Sequence, residues 1–388
     1  MQSFVFNTTP RLVCAPGSAL ELAPLLADLG ARRPLLVTDP GLVKIGLLAP
    51  LQAALEAAGT TAILFDRVQE DPPESVVEAA VSLGRREQVD AVVAVGGGSS
   101  MDVAKVVAVL LGDGGQELAA LYGVDQVRGA RLPLVLVPTT AGTGSEVTPV
   151  AVITTGATTK AGVSSRLLLP DVAVLDADLT LGLPPRVTAM TGIDAMVHAI
   201  EAYTSRVKKN PMSDHLAREA LRLLSANLRL AVTRGHDRDA RAGMLLGACL
   251  AGQAFANAPV AAVHALAYPL GGHYHIPHGL SNSLVLPAVL DFNLPAAAPL
   301  YAELATLVAP NVTGSDEARA MALRDFLVAL IAAVSLPATL AEAGVPREDL
   351  AMLAEDAMLQ QRLLVNNPRE LSREDALAIY TAAWGKAA

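Results

Sequence analysis

AVVAVGGGSSMD, residues Ala91 to Asp102, decides the fold. Ala91 to Val95 form an unbroken apolar run, the spelling of a parallel strand buried on both faces. Gly96, Gly97 and Gly98 follow at once, and a helix is expected over Val103 to Leu111. Strand, glycine turn and helix in that order make half of a βαβ unit. Glycines let the backbone approach a ligand closely. A helix N-terminus offers free N–H groups and a positive dipole end, which suits a pyrophosphate. The fingerprint G-x-G-x-x-G is not met, because Met101 stands where its last glycine would be, and no Walker loop is spelled out. Glycines in such a turn also serve merely to close a tight connection, and both readings stand at this point.

Working outward, strands are expected at Pro34 to Thr38, Thr61 to Phe65, Leu134 to Val137 and Val172 to Leu175. Helices are expected at Leu47 to Ala58 and Pro73 to Arg86, the second with proline in its first turn. This alternation predicts an α/β layer around a parallel sheet. Pro184 and Pro185 end it. Beyond them the patterns are helical: Ser213 to Leu230, Arg238 to Ala256, Ser283 to Leu290, Ala320 to Ala332, Arg347 to Ala357 and Arg373 to Ala383. The expected organisation is an α/β domain over residues 1–185 and an all-helical domain over 186–388.

Two further loops follow strands. Pro138 to Glu146 (PTTAGTGSE) carries small hydroxyl side chains and glycines where open α/β sheets bind ligands, at strand C-termini. An ordinary polar connection would read the same way. Asp39, in VTDPGL, ends the first strand. A carboxylate there could accept from an adenosine ribose and repel a 2′-phosphate, favouring NAD over NADP; an Asp before Pro is also a good turn former.

In the helical half, TGIDAMVHAIEAY (Thr191 to Tyr203) has Ile193, Met196, Val197 and Ile200 at helical spacing. Asp194 and His198 then share one face as an i, i+4 pair. VHALAYPLGGHYHIPHGLSN (Val263 to Asn282) holds four of the seven histidines: His264, His273, His275 and His278. A carboxylate and imidazoles amid apolar sequence fit a divalent metal, although an Asp/His pair on a helix also forms an ordinary hydrogen bond. The zinc-protease spelling HExxH is absent.

Composition narrows the function classes. With 52% hydrophobic and 17% charged residues the chain can fill two cores, and no apolar run reaches the ~18 residues of a membrane span. The net charge of -9 opposes binding to nucleic acid or to an anionic membrane, and 3% aromatics cannot build base-stacking platforms. The start, MQSFVFNTTPRL, has no basic region leading into an apolar stretch, so no secretory leader is expected. Cys14 and Cys249 lie far apart in apolar contexts. Two buried free thiols are expected, in keeping with a cytoplasmic location.

Four signatures, in this order, resemble the iron-containing (group III) alcohol dehydrogenases: GGGSSMDVAK at Gly96 to Lys105, PTTAGTGSEVT at Pro138 to Thr148, GIDAMVHAIEAY at Gly192 to Tyr203 and VHALAYPLGGHYHIPHG at Val263 to Gly279. The resemblance spans essentially the whole chain. It implies a dinucleotide-binding domain and a helical metal domain, the plan shared with dehydroquinate synthase, with the active site in the cleft between them. It implies Asp194, His198, His264 and His278 as ligands of Fe2+, although these ligand types alone also admit Zn2+, Mn2+ or Co2+. It implies NAD, its pyrophosphate on Gly97, Gly98 and Ser99 with Asp102 at the same helix start. Thr139, Thr140 and Thr143 would line the rest of the dinucleotide, Lys160 would reach the nicotinamide ribose, and Asp39 matches the acidic position of NAD preference. The implied reaction is reversible hydride transfer between a small alcohol and NAD, with the metal binding the substrate oxygen. A homodimer or higher homo-oligomer is expected.

The sequence departs from the family at Tyr268, where many alcohol-oxidising members carry a histidine four residues after the third ligand. Tyrosine, with an unperturbed pKa of ~10, is a poorer base near neutrality, which leaves Tyr268 and, through water, His275 or His273 as proton carriers. Val150 replaces a polar amide of some diol-processing members. Phe255 and Val152 are candidate pocket walls beside the cofactor; each also reads as plain core. Other chemistries on the same plan are a cyclase resembling dehydroquinate synthase, for which clustered Lys/Arg near the ligands are lacking, and a transhydrogenase passing hydride between a hydroxy acid and an oxo acid. A non-catalytic NAD-binding protein would leave four metal ligands unexplained.

Overall fold

Alternate residues of the predicted strands face opposite sides of one sheet. Leu35, Val37, Val92, Ala94, Leu134 and Leu136 enter one core, and Leu36, Ala91, Val93, Val95, Val135 and Val137 enter the other. The computed structural model describes residues 3–156 and 159–385. One unit runs over Asn7–Gly182; the other begins at Leu183 and includes residues 3–6.

In the first unit the strands are β1 (Arg11–Cys14), β2 (Pro34–Val37), β3 (Ile63–Phe65), β4 (Ala91–Gly96), β5 (Gly123–Val124), β6 (Leu134–Pro138), β7 (Val150–Thr155), β8 (Thr159–Ser164) and β9 (Val172–Leu175). Six of them form a parallel sheet in the order β1-β9-β6-β4-β2-β3. Helices α1 (Leu22–Asp28), α2 (Pro40–Lys44), α3 (Ala49–Ala57), α4 (Glu74–Arg86) and α5 (Gly98–Leu110) complete the alternation. Leu22, Leu26, Leu51 and Leu55 of α1 and α3 cover one face, and Val77, Ala80, Val103 and Val107 of α4 and α5 the other, so the sheet is wound on both sides. The chain leaves β2 toward β3 and leaves β4 toward β6, in opposite directions across the sheet. Adjacent strands that diverge in this way open a crevice at their C-terminal ends. Asp39 follows β2 at that point, and Gly97 and Gly98 follow β4.

Several boundaries differ from the sequence reading. Helix α5 begins at Gly98, not at Val103. Gly98, Ser99 and Ser100 occupy a first turn whose N–H groups have no intrahelical acceptor in any case, so poor helix formers cost little there. Cys14 is exposed rather than buried, because β1 is an edge strand, paired among the described residues with β9 alone. A second sheet, β5-β8-β7, contains the antiparallel pair β7 and β8, which carries Val150, Val152 and Lys160.

The second unit is helical: α6 (Pro185–Thr204), α7 (Pro211–Thr233), α8 (Arg238–Asn257), α9 (Ala262–Tyr274), α10 (His278–Val308), α11 (Asp316–Ala333), α12 (Leu350–Ala357), α13 (Gln361–Leu364) and α14 (Arg373–Trp384). Helix α6 is buried along almost its whole length and packs against α7, α8 and α10. The helix expected at Ser283 to Leu290 is part of the 31-residue α10, which runs through Pro287, Pro295 and Pro299. Each interior proline forfeits a backbone hydrogen bond and about 3 kcal/mol. Burial of Leu284, Val285, Leu286, Val289, Leu290, Tyr301 and Leu304 outweighs that loss. Helix α10 has the length and apolar composition of a membrane span, but half of its apolar window is buried against its neighbours, as in a core helix. The helix expected from Arg347 begins at Leu350, after a 3-10 turn over Arg347–Asp349.

Candidate metal centre and nucleotide-binding loops

Asp194, His198 and Glu201 stand at i, i+4 and i+7 on α6, so one stripe of a buried helix presents a carboxylate, an imidazole and a second carboxylate. His264 lies in the first turn of α9, and Tyr268 one turn on. His278 is the first residue of α10, and Asn282 lies one turn on. Helix α10 approaches α6 closely because residue 279 is glycine: a Cβ there would collide with the carbonyl oxygen of Met190 on α6 and press on the Cβ of Asp194 at 3.3 Å.

Around Oδ1 of Asp194 stand the Nε2 atoms of His198 at 3.8 Å, His264 at 3.8 Å and His278 at 3.6 Å. Four ligand atoms, one from each residue, all lie within 4.8 Å of one another. Bonds of about 2.1 Å to a tetrahedral ion would set ligand atoms roughly 3.4 Å apart, so the group fits a divalent ion with a small contraction. Asp194, His198 and His264 are buried, whereas the His278 side chain is 40% exposed, leaving one side of the cluster open.

The polar contacts supply a second test of fit. The Asn282 amide nitrogen donates to Asp194 Oδ1 at 2.7 Å and stands 3.3 Å from Nε2 of both His264 and His278, while its own Oδ1 is buried without a partner. An electropositive group therefore already sits among the acceptors, at the expense of an unsatisfied carbonyl, as expected of a place built for a cation. Burial pushes the Asp194 carboxyl up. The imidazoles of His198, His278 and His264 and the Asn282 amide outweigh it and hold the group below the usual carboxylate range. The Phe255 ring stacks on His198 at 4.3 Å and His198 on His264 at 4.8 Å, so packing orients both imidazoles.

The remaining candidates separate. The Tyr268 ring lies 5.9 Å from the His278 ring. His275 is exposed and caps α9 with a left-handed φ of 53°, and His273 turns to Asp356, Nε2 to Oδ2 2.5 Å. Neither joins the cluster of ligands.

In the sheet unit, β4 and β6 end side by side, with Gly96 opposite Pro138 and the Thr139 N–H donating to the Gly96 carbonyl at 3.0 Å. The two loops interlock. A Cβ on Gly97 would touch Thr140 at 3.6 Å, and one on Gly98 would press on the Thr143 methyl at 2.9 Å. Gly97 caps α5 without a side-chain hydrogen bond, which leaves first-turn N–H groups for an anion. Thr140, Thr143 and Ser99 are partly exposed there, while Thr139 is buried. Asp39 Oδ1 accepts from Leu42 N at 3.0 Å, capping α2. Asp102 is turned inward, its carboxylate accepting from Ser145 Oγ at 2.7 Å and Val152 N at 2.9 Å, so both oxygens tie α5 to the threonine loop and β7. Lys160 pairs with Asp71 at 2.5 Å on the surface.

Sequence reasoning missed Glu201, Asn282 and Lys105. The first two lie one turn beyond a predicted ligand, at His198 and at His278, a signal that helical spacing alone could have exposed. Lys105, one turn from Asp102, is fully buried and donates to the carbonyls of Thr148 at 2.9 Å and Val150 at 2.8 Å.

Residues 9–177 match the iron-containing alcohol dehydrogenase model, and residues 188–384 match the C-terminal model of the Fe-containing alcohol dehydrogenase family. The chain belongs to the iron-containing alcohol dehydrogenase family. As such it is an oxidoreductase acting on CH–OH donors. It is 43% identical over 371 residues to long-chain-alcohol dehydrogenase 1 of Geobacillus thermodenitrificans, covering 95% of this chain and 93% of that protein. A crystal structure of 1,3-propanediol oxidoreductase superposes with a TM-score of 0.95 at 36% identity, over 98% of this chain and 100% of the other. Sulfoacetaldehyde reductase from Bifidobacterium kashiwanohense, solved in complex with NAD+, superposes with a TM-score of 0.90 at 29% identity and full coverage of both chains. Alcohol dehydrogenases and aldehyde reductases of this family therefore share its fold.

Proposed function

We propose that this iron-containing alcohol dehydrogenase interconverts a small alcohol and its aldehyde with NAD, using Fe2+ or another divalent ion held by Asp194, His198, His264 and His278. The observation that carries the reading is the convergence of these four ligand atoms within 4.8 Å on a site with one open side. When bound, the ion supplies Lewis acidity toward a substrate oxygen and the nicotinamide supplies the hydride couple. The chain's own residues do the rest. Asp194 offsets the charge of the ion, three imidazoles donate neutral lone pairs, and Phe255 excludes water from one side of His198. Tyr268, whose ring lies 5.9 Å from that of His278, would pass a proton from the open side, and His275 would be the alternative carrier through water. Gly97, Gly98 and Ser99 would bind the pyrophosphate on free N–H groups, with Thr139, Thr140 and Thr143 beside it. Asp39 favours NAD by repelling a 2′-phosphate. Lys160 would have to leave Asp71 to reach the ribose.

The protein is assigned to the cytoplasm, in keeping with two cysteines, Cys14 and Cys249, that form no disulfide among the described residues, and to a homodimer, for which the exposed edge strand β1 offers a pairing surface. The test is nicotinamide absorbance with Fe2+-loaded, oxygen-free protein against small alcohols, diols, hydroxy acids and their carbonyl partners. Metal-free protein and His264→Ala serve as controls. Turnover of one alcohol/aldehyde class that disappears in both controls supports the reading. Product formed from a hydroxy acid and an oxo acid without added nicotinamide would replace it with transhydrogenation.

A further inference from the structure

His264 can bind an ion through Nε2 only if the proton of its neutral ring sits on Nδ1. The ring Nδ1 lies 2.6 Å from Glu201 Oε2, and both residues are buried. The other oxygen, Oε1, accepts from the backbone N–H of Val263 at 2.7 Å. That N–H belongs to the first turn of α9 and has no intrahelical acceptor. A single carboxylate on α6 therefore satisfies the start of α9 and holds the ring that α9 carries. On its far edge, His264 Nε2 faces Asp194 Oδ1 at 3.8 Å and the Asn282 amide at 3.3 Å.

We propose that Glu201 is a positioning residue that fixes His264 in the tautomer with a free Nε2 and locks the ring of α9 to the ligand stripe of α6. An acceptor-only carboxylate draws the ring proton to Nδ1, directs the Nε2 lone pair into the cluster and strengthens it as a donor. The i, i+7 spacing of Asp194 and Glu201 puts a direct ligand and the support of a second ligand on the same face of one helix. A glutamine in place of Glu201 cannot do both jobs. Its single oxygen can serve Val263 or His264, and its NH2 group then faces an N–H or forces the ring proton onto Nε2.

This inference rests on the metal reading above, and the test separates the two. Metal-free wild type, Glu201→Gln, His264→Ala and the double variant are titrated with Co2+ alone, followed by its visible absorption and by the thermal midpoint. Glu201→Gln is expected to bind Co2+ about 10–100-fold more weakly. In the His264→Ala background the same change is expected to alter affinity less than about threefold, because its effect passes through that ring. Wild-type affinity in Glu201→Gln overturns the proposal. An equal loss in both backgrounds overturns it too, since a merely structural role would not depend on His264. Absence of Co2+ binding in wild type overturns the metal reading and this inference with it. Should Glu201→Gln fail to fold, 15N-histidine spectra of Zn2+-loaded wild type decide the matter. A proton on Nδ1 of His264 supports the proposal, and a proton on Nε2 overturns it.

Discussion

Gly279 sets how closely the first turn of α10 approaches α6. Its missing side chain leaves room for the Met190 carbonyl and for Asp194. Gly279→Ala is expected to lower stability by about 1–3 kcal/mol, the usual range for overpacking, and to weaken Co2+ binding, because His278 moves with the turn. Urea unfolding and a Co2+ titration check it; unchanged values for both would show that the turn adjusts freely. Tyr268 and His275 make different predictions. Tyr268→Phe keeps the ring beside His278 and removes the hydroxyl, so kcat should fall on the order of 100-fold with Co2+ affinity unchanged, while His275→Ala should fall far less. The reverse ranking would move the proton route to His275. At this scale helical spacing paired Asp194 with His198 and the histidine-rich stretch near Pro277 pointed to a metal, while the choice of His264 and His278 over His273 and His275 came from the family resemblance. Asn282 and Glu201 stayed hidden, because an amide or carboxylate one turn from a ligand reads equally well as an ordinary polar residue until the neighbouring helix is in place.

Helix α5 is clamped at its start by Asp102 and from within by Lys105. Burial lowers the Lys105 pKa to about 8, opposed by the charges of Asp102 and Glu146; burial raises that of Asp102, opposed by Lys105 and by hydrogen bonds from Ser145 and Val152. In the unfolded chain the lysine titrates near ~10.5. Between pH 8 and that value the unfolded chain keeps a proton that the folded chain has released, so raising the pH through this window stabilises the fold. The difference in unfolding free energy, wild type minus Lys105→Met, should therefore increase from pH 8 to 10. At pH 7 the variant should be less stable by about 1–3 kcal/mol, since the Thr148 and Val150 carbonyls lose their donor. A pH-independent difference would contradict the assignment. Elements were legible where patterning was strong: β4 and β9 are apolar strands flanked by turns. They were illegible where tertiary packing overrides local preference. The helix expected over Ser283 to Leu290 stopped short of Pro295 and Pro299, yet α10 continues through both. Gly98 to Ser100 read as loop, yet they form the first turn of α5.

The whole chain combines a doubly wound parallel sheet with a helical unit, a division visible in the sequence as the end of strand–helix alternation at Pro184. The exposure of Cys14 was not visible, because strand order places β1 at the sheet edge and no local pattern encodes that order. An ion that binds only the folded helices also stabilises them, by about 2.7 kcal/mol at 100 times its dissociation constant. Chelation should lower the thermal midpoint on the order of 5 °C, and divalent metal should restore it. His264→Ala should show no such response. The most direct test is anomalous diffraction at the iron edge from crystals of Fe2+-loaded protein grown without oxygen. A single strong peak bonded to Asp194 and to Nε2 of His198, His264 and His278 is expected. A peak elsewhere, or none in protein that retains full activity, would contradict it.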